Sequence, residues 1–161
     1  MSNLVHTEIM NGDFYMQVPE NFHPMPEEIA KGKYPAQNRP PVILTNEDAT
    51  VDYKFGYIDQ QIEEELLGEL VKEVKVNLKK IYTGIRYFEE DMINAGGKKI
   101  GWFDYTSPAI GDTLYNLTFL TFIHGKLMQG TFTCLYAESY EWRSRFLEGI
   151  ASITEEKNQN E

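Results

Sequence analysis

Few residues of the sequence combine a reactive side chain with a spacing that would let it act. The three histidines, His6, His23 and His124, lie far apart and lack the spacing of paired metal ligands. Cys134 lies in a run typical of a strand, and no nearby base or cation would activate its thiol. We therefore predict no catalytic residue, no metal site and no cofactor, so the protein is not expected to be an enzyme.

Two charged runs could carry chemistry, but each fits a structural role better. Glu89-Glu90-Asp91 could supply paired carboxylates for acid–base work, yet acids before a turn are typical of an exposed sheet edge that resists aggregation. The run 96–99, Gly-Gly-Lys-Lys, lacks the following Ser or Thr and the helix of a phosphate-binding loop. It predicts a hairpin turn.

Aromatic residues are the one surplus in the sequence, because they crowd three predicted strands and the end of a helix. Most should belong to the core, but alternation cannot bury Trp102 and Tyr105 together with their neighbour Phe103 unless both sheet faces are covered. An apolar groove bordered by tyrosine hydroxyls would suit a peptide or helix of a partner. The candidate binding residues are Tyr53, Phe55, Tyr57, Trp102 and Tyr105.

Length and charge limit the classes of partner. The 161 residues correspond to one domain, and 25 acidic against 15 basic residues give a net charge of −10. This charge argues against nucleic acid and anionic membrane surfaces, which need clustered Lys and Arg. The start of the chain has no basic segment followed by an apolar run, and no segment is long and apolar enough to insert in a membrane. We expect a cytoplasmic protein.

Two amphipathic helices are predicted. Apolar residues recur every three or four positions over 60–81, with acids early and lysines late, which complements the helix dipole. A second helix is predicted over 139–153, with Ser139 as its N-cap. The chain is expected to form a single domain over 1–153, followed by a frayed tail over 154–161.

Strands should fill most of the remainder. Runs at 85–93, 99–106, 113–124 and 126–136, separated by short turns and by a longer one at 107–112, predict an antiparallel meander. The third run is apolar on both alternating faces, so both faces of the sheet should be covered. These patterns predict an α+β fold, a three-layer α/β/α sandwich around a mainly antiparallel meander sheet, with the two helices on opposite faces.

The order of elements resembles the Mog/PsbP-like α/β/α sandwich. The segment 14–22, FYMQVPENF, is similar to the opening strand, Val-Pro and aromatic residue of that superfamily. The run 42–57 is similar to its early hairpin, and 99–106 with 113–136 to its meander. The segment 141–153 is similar to its closing helix, which often ends in Ser-Ile.

This resemblance implies a fold and a range of functions without shared catalytic residues. The superfamily includes extrinsic photosystem proteins, a Ran-binding protein, DcrB-like bacterial lipoproteins and secretion chaperones of the Eag type. Because no export signal is visible, the resemblance favours the cytoplasmic, chaperone-like bacterial branch. We expect a protein-binding module that holds an apolar client segment. A small-molecule binder or enzyme with an aromatic-lined pocket, and a structural homodimer subunit, are the alternatives.

Overall fold

The computed structural model describes residues 3–35 and 39–157 of the chain. The strands are β1 (Leu4–Ile9), β2 (Phe14–Pro19), β3 (His23–Pro24), β4 (Val42–Thr45), β5 (Asp52–Tyr57), β6 (Arg86–Ala95), β7 (Lys98–Ala109), β8 (Asp112–Ile123) and β9 (Lys126–Leu135). The helices are α1 (Glu27–Lys33), α2 (Leu67–Ile81) and α3 (Ser139–Ala151). Pro26 precedes α1 and Glu27 and Glu28 occupy its first turn, as expected for a helix start.

Seven strands form one antiparallel sheet in the order β3-β4-β5-β9-β8-β7-β6, and β1 pairs with β2 in a separate hairpin. The strands β6 to β9 follow one another along this sheet, which confirms the predicted meander. The strand β5 joins the meander by pairing with β9, so Asp52 lies opposite Thr133. This long-range pairing brings the N-terminal half of the chain against β9.

Alternate residues of β8 enter two different apolar layers. Leu117 and Phe119 belong to the layer that contains Phe146 of α3 and the residues of the β1–β2 hairpin. Leu120 and Phe122 belong to the layer formed with α2 on the other face. The predicted three-layer arrangement, with the two helices on opposite faces of the sheet, is therefore confirmed. The central layer is buried because both faces are covered.

The face of the sheet below α2 is apolar over only half of its width. Helix α2 packs on β7 and β8, where Leu120 and Phe122 lie beneath it. Towards the other end of β8 the same face carries Asn116 and Thr118. The prediction of an apolar strand on both faces is thus wrong for this half, because α2 does not extend over it.

Two predicted boundaries also differ from the structure. Helix α2 begins at Leu67, after a 3₁₀ turn over Glu64–Leu66, and not at residue 60. The extended backbone of Glu63 (φ −76°, ψ 142°) interrupts the helix, although Ile62 still packs against the α2 layer. The expected longer turn at 107–112 is shorter, because β7 continues to Ala109 and pairs with β8 up to the turn.

The C-terminal segment is held where fraying was predicted. Tyr15 and Thr154 exchange two backbone hydrogen bonds, of 2.8 and 3.0 Å. The carboxylate of Glu155 accepts hydrogen bonds from Lys98 Nζ (2.5 Å) and from the backbone N–H of His124 (3.1 Å). The prediction is wrong for these two residues, and its last part, 158–161, lies outside the described residues.

Candidate functional site

The five aromatic candidates do not form one exposed groove. Tyr53 and Phe55 have less than 2% of their surface exposed and pack on other rings beneath α3 and the β1–β2 hairpin. Trp102 is buried in the same layer, whereas Tyr105 is buried on the α2 face. Tyr57 is half-buried, and its hydroxyl donates to Asp13 Oδ2 (2.6 Å). Four of the five aromatic candidates are therefore core residues, three in the layer beneath α3 and one in the layer of α2.

A different groove opens on the α2 face, over the half of the sheet that α2 leaves uncovered. It encloses about 770 Å³ and is open to solvent, a volume within the range of ligand sites. The end of α2 and the link to β6 form one wall, and Tyr34, Pro35, Pro40 and Pro41 lie on the other side. We call it the α2-side groove. Apolar wall residues include Leu78, Tyr82, Ile85, Pro40, Pro41 and Pro108.

Hydrogen-bonded polar side chains cross the floor of this groove from β5 to β7. Lys54 Nζ donates to Thr133 Oγ1 (3.0 Å), and the Thr133 hydroxyl donates to Asn116 Oδ1 (2.8 Å). Asn116 Nδ2 then donates to Ser107 Oγ (2.9 Å). Each of these residues lines the groove. We call this series of hydrogen bonds the polar ladder.

A second set of hydroxyls lies beside the polar ladder. The Thr131 and Thr118 hydroxyls are hydrogen-bonded at 2.9 Å, and Thr118 Oγ1 lies 3.0 Å from the Tyr105 hydroxyl. Burial raises the pKa of Tyr105 to about 12, so this phenol is neutral near pH 7. Of the aromatic candidates, Tyr105 and Tyr57 line the groove; Phe55 borders it too, although its ring packs into the opposite face.

Lys54 is the cation in the floor of the groove. Burial lowers the pKa of its ammonium group to about 8, an effect that nearby Asp52 partly opposes. Its Nζ lies 5.2 Å from the centre of the Tyr34 ring, a cation–π contact. Among the described residues, no carboxylate oxygen forms an ion pair with Lys54 within 4 Å.

The neighbouring carboxylate of Asp52 already accepts three hydrogen bonds from other groups. Its Oδ2 accepts hydrogen bonds from Lys33 Nζ (2.8 Å) and the Tyr34 hydroxyl (2.5 Å), and its Oδ1 accepts one from Thr45 Oγ1 (2.8 Å). Lys33, Asp52 and Lys54 are the charged residues among the described lining, so the groove carries a net charge of +1. The chain as a whole carries −10.

Apolar surface continues from the groove onto its rim. Tyr82 lines the wall and is 55% exposed, and Ile81 before it is 68% exposed. The link after α2 approaches the end of β7, because a Cβ built on Gly84 would lie 3.1 Å from Pro108 Cγ. Two residues further, at the β7–β8 turn, Ile110 is fully exposed. Exposed apolar side chains beside a groove, such as Ile81 and Tyr82, are typical of interaction sites.

The other residues considered from the sequence lie outside the groove. His124 lies at the β8–β9 turn, where its Nε2 lies 2.9 Å from the carbonyl oxygen of Asp13. Cys134 is buried, and burial raises the pKa of its thiol to about 12. No cluster of three His, Cys, Asp or Glu with metal-binding geometry occurs within residues 3–35 and 39–157.

The two charged runs lie at the edges of the sheet. Glu89 and Glu90 are on β6, the edge strand, where they pair with Arg143 and Lys75. Gly96 and Gly97 form the tight turn between β6 and β7, as predicted. Within the part of the chain that the structure describes, no helix is long and apolar enough to cross a membrane.

Sequence reasoning missed Lys54 and the rest of the polar ladder. A signal was present, because Thr131 and Thr133 alternate with apolar residues along a predicted strand, as Asn116 and Thr118 do along its neighbour. Their convergence on Lys54 depends on the pairing of β5 with β9, which no local pattern reveals.

Neither a protein-family model nor a curated protein matches this chain. Solved structures do. PsbP (CyanoP) from Synechocystis sp. PCC 6803 has a TM-score of 0.66 and 9% identity, over 96% of this chain and 93% of that one. LpqN of Mycobacterium tuberculosis, involved in cell envelope biogenesis, has a TM-score of 0.58 and 11% identity, over 94% of this chain and 89% of that one. PA94 of Pseudomonas aeruginosa, a protein of unknown function, has a TM-score of 0.57 and 11% identity, over 98% of this chain and 100% of that one.

These similarities extend over nearly the full length of each pair of chains, at identities of 9 to 11%. The chain therefore has the PsbP-like α/β/α fold, as the order of its elements predicted. The TM-scores of 0.57 to 0.66 establish the fold, and at such low identities the function must be argued from the site.

Proposed function

We propose that the protein is a non-enzymatic binding module that holds an apolar segment of a client protein in the α2-side groove. The observation that carries this proposal is that the apolar wall of the groove ends in Tyr82, which is 55% exposed, next to Ile81, which is 68% exposed; these two residues form an exposed apolar rim. A ligand confined to the cavity would leave that rim in water. A polypeptide segment would cover both, while the polar ladder offers hydrogen-bond partners to its backbone.

The proposal includes an accessory, chaperone-like role in the bacterial cytoplasm. A secreted or membrane-inserted client has apolar segments that require cover before they reach their destination. An acidic module with a local apolar groove suits this task, because its net charge of −10 keeps it soluble while the groove is occupied. The PsbP-like fold is compatible with such a module.

The same role could be performed by a homodimer, which light scattering would reveal.

Site-specific photocrosslinking in the native host tests this proposal. A photoreactive phenylalanine analogue at Tyr82, in the wall of the groove, should give a discrete adduct whose crosslinked client peptide contains an apolar run. The matched control places the analogue at Tyr140, which is 95% exposed on α3. Absence of an adduct at Tyr82, or the same adducts from both positions, would contradict a role for the groove.

Binding of a small molecule is the second candidate, and the convergence of Lys54, Thr133 and Asn116 on one floor favours it. Polar groups placed in this way within apolar walls can fix the orientation of a small ligand. Native mass spectrometry of the protein purified from its host would then show an added mass. That mass should be lost when Thr131 is changed to Phe, which fills the floor.

A further inference from the structure

The ammonium group of Lys54 lies in the floor of the α2-side groove without a carboxylate partner among the described residues. Cations with reduced hydration are normally paired, because the loss of hydrating water from an unpaired charge is costly. Here Thr133 Oγ1 and the Tyr34 ring are the contacts of Lys54. A lysine has three N–H donors, and the polar ladder uses one of them.

The charge around Lys54 favours an anion. Lys33 neutralises Asp52, whose two oxygens are also occupied by the Tyr34 and Thr45 hydroxyls. Asp52 therefore has little capacity left to pair with Lys54. The groove carries +1 within a chain of net charge −10, so an acidic group is attracted to this floor specifically.

We propose that the segment held in the groove carries a carboxylate side chain, which binds the ammonium group of Lys54. This inference rests on the proposed function, since it specifies the chemistry of the client segment. The apolar walls contact the residues that flank the acidic residue in the client segment. The ion pair between the acidic residue and Lys54 fixes the register of the segment in the groove. An apolar segment with one Asp or Glu fits this site better than a wholly apolar one.

The lowered pKa of Lys54 supports the proposal. Burial lowers it to about 8, because the nearby Asp52 only partly offsets the loss of hydration of the ammonium group. A bound carboxylate would raise the pKa of Lys54 towards its ordinary value, because an opposite charge favours the protonated form. This change can be followed by NMR of the lysine side chain.

A pair of capped synthetic peptides tests the proposal. They share one apolar sequence with soluble ends and differ only in a central Glu or Gln. The Glu peptide should bind the wild-type protein about tenfold more tightly, as expected for a charge-assisted hydrogen bond. This preference should disappear in Lys54→Met and persist in the control Lys72→Met, because Lys72 is exposed on α2 and does not line the groove.

Three results would overturn the proposal. One is equal binding of the two peptides by the wild-type protein, which would leave the groove as a client site without an acidic anchor. Another is failure of both peptides to bind, a result independent of the crosslinking at Tyr82 that decides the proposed function. The third is Lys54-dependent binding of octanoate without discrimination between the peptides, since the ligand would then be a free carboxylate amphiphile.

Discussion

Lys54 links the stability of this protein to its candidate site, because a half-buried cation lies in the floor of the groove. A lysine whose pKa is lowered on folding destabilises the folded state while it is protonated. Such perturbed groups in a cleft are characteristic of functional sites.

The first prediction concerns the pH dependence of stability. Between the folded pKa of about 8 and the ordinary value of 10.5, the unfolded chain binds more protons at Lys54 than the folded protein does. The stability of the wild type should therefore rise with pH across this window, relative to that of Lys54→Met. Urea unfolding of both proteins at several pH values measures the difference. A difference that does not change between about pH 8 and about pH 10.5 would contradict the shifted pKa.

The residues of the candidate site were only partly predictable from the sequence. Large aromatic side chains are plausible binding residues, but the same apolar surface also favours burial, and Tyr53 and Phe55 are buried in the core. Lys54 and Thr133 look unremarkable in isolation, since each alternates with apolar residues in a strand. What distinguishes them is that α2 does not extend over their end of the sheet.

Strands β8 and β9 pack closely where a glycine on β9 leaves room for an aromatic ring on β8. Gly130 lies opposite Phe119, and the Phe119 ring occupies the space where a side chain at 130 would be. A Cβ built on Gly130 would lie 2.2 Å from Phe119 Cε1. The glycine is thus required by the aromatic ring, which itself packs on Phe132.

The second prediction follows from this contact. Gly130→Ala should destabilise the protein by about 1–3 kcal/mol, because the Phe119 ring must move within a packed core. The control is Gly32→Ala in α1, where no atom lies within 4 Å of the added Cβ and alanine favours the helix. That control should be neutral or slightly stabilising. Denaturant unfolding measures both, and equal effects of the two substitutions would contradict the proposed packing.

Element types were more predictable than their limits. The periodicity of apolar residues identified α2 and α3, because each buries one stripe against the sheet. Helix α2 nonetheless starts at Leu67, since Ile62 reaches the same layer from extended backbone. The periodicity of apolar residues indicates which residues contact the core. It does not show that each of them is helical, because a residue of a non-helical segment can make the same contact.

At the scale of the whole molecule, the sheet order could not be derived from local patterns. The pairing of β7 with β8 can be predicted from the short turn between them. Strand β5, in contrast, pairs with β9, although α2 and strands β6 to β8 separate the two in the sequence. The groove lies along this long-range junction. Its position is therefore a property of the complete fold.

The third prediction concerns the C-terminal segment, which joins distant parts of the molecule. Removal of residues 154–161 should lower stability by about 1–3 kcal/mol, because Tyr15 loses its backbone partner Thr154, and Lys98 loses Glu155. The matched control removes only 158–161 and keeps these contacts. Thermal unfolding compares the two. If both truncations had the same effect, the contacts of Thr154 and Glu155 would not contribute.

The polar ladder also gives the groove a direction. A protonated lysine can only donate, so Lys54 obliges Thr133 to donate onward to Asn116, and Asn116 to turn its amide N–H groups towards Ser107. The Ser107 hydroxyl accepts the last hydrogen bond of the polar ladder, and its own proton is not used within the ladder. One end of the groove is therefore a fixed charge and the other a rotatable hydroxyl. If the groove holds a polypeptide as proposed, the two N-to-C orientations of that polypeptide would place different backbone groups beside the ammonium group of Lys54 and the hydroxyl of Ser107.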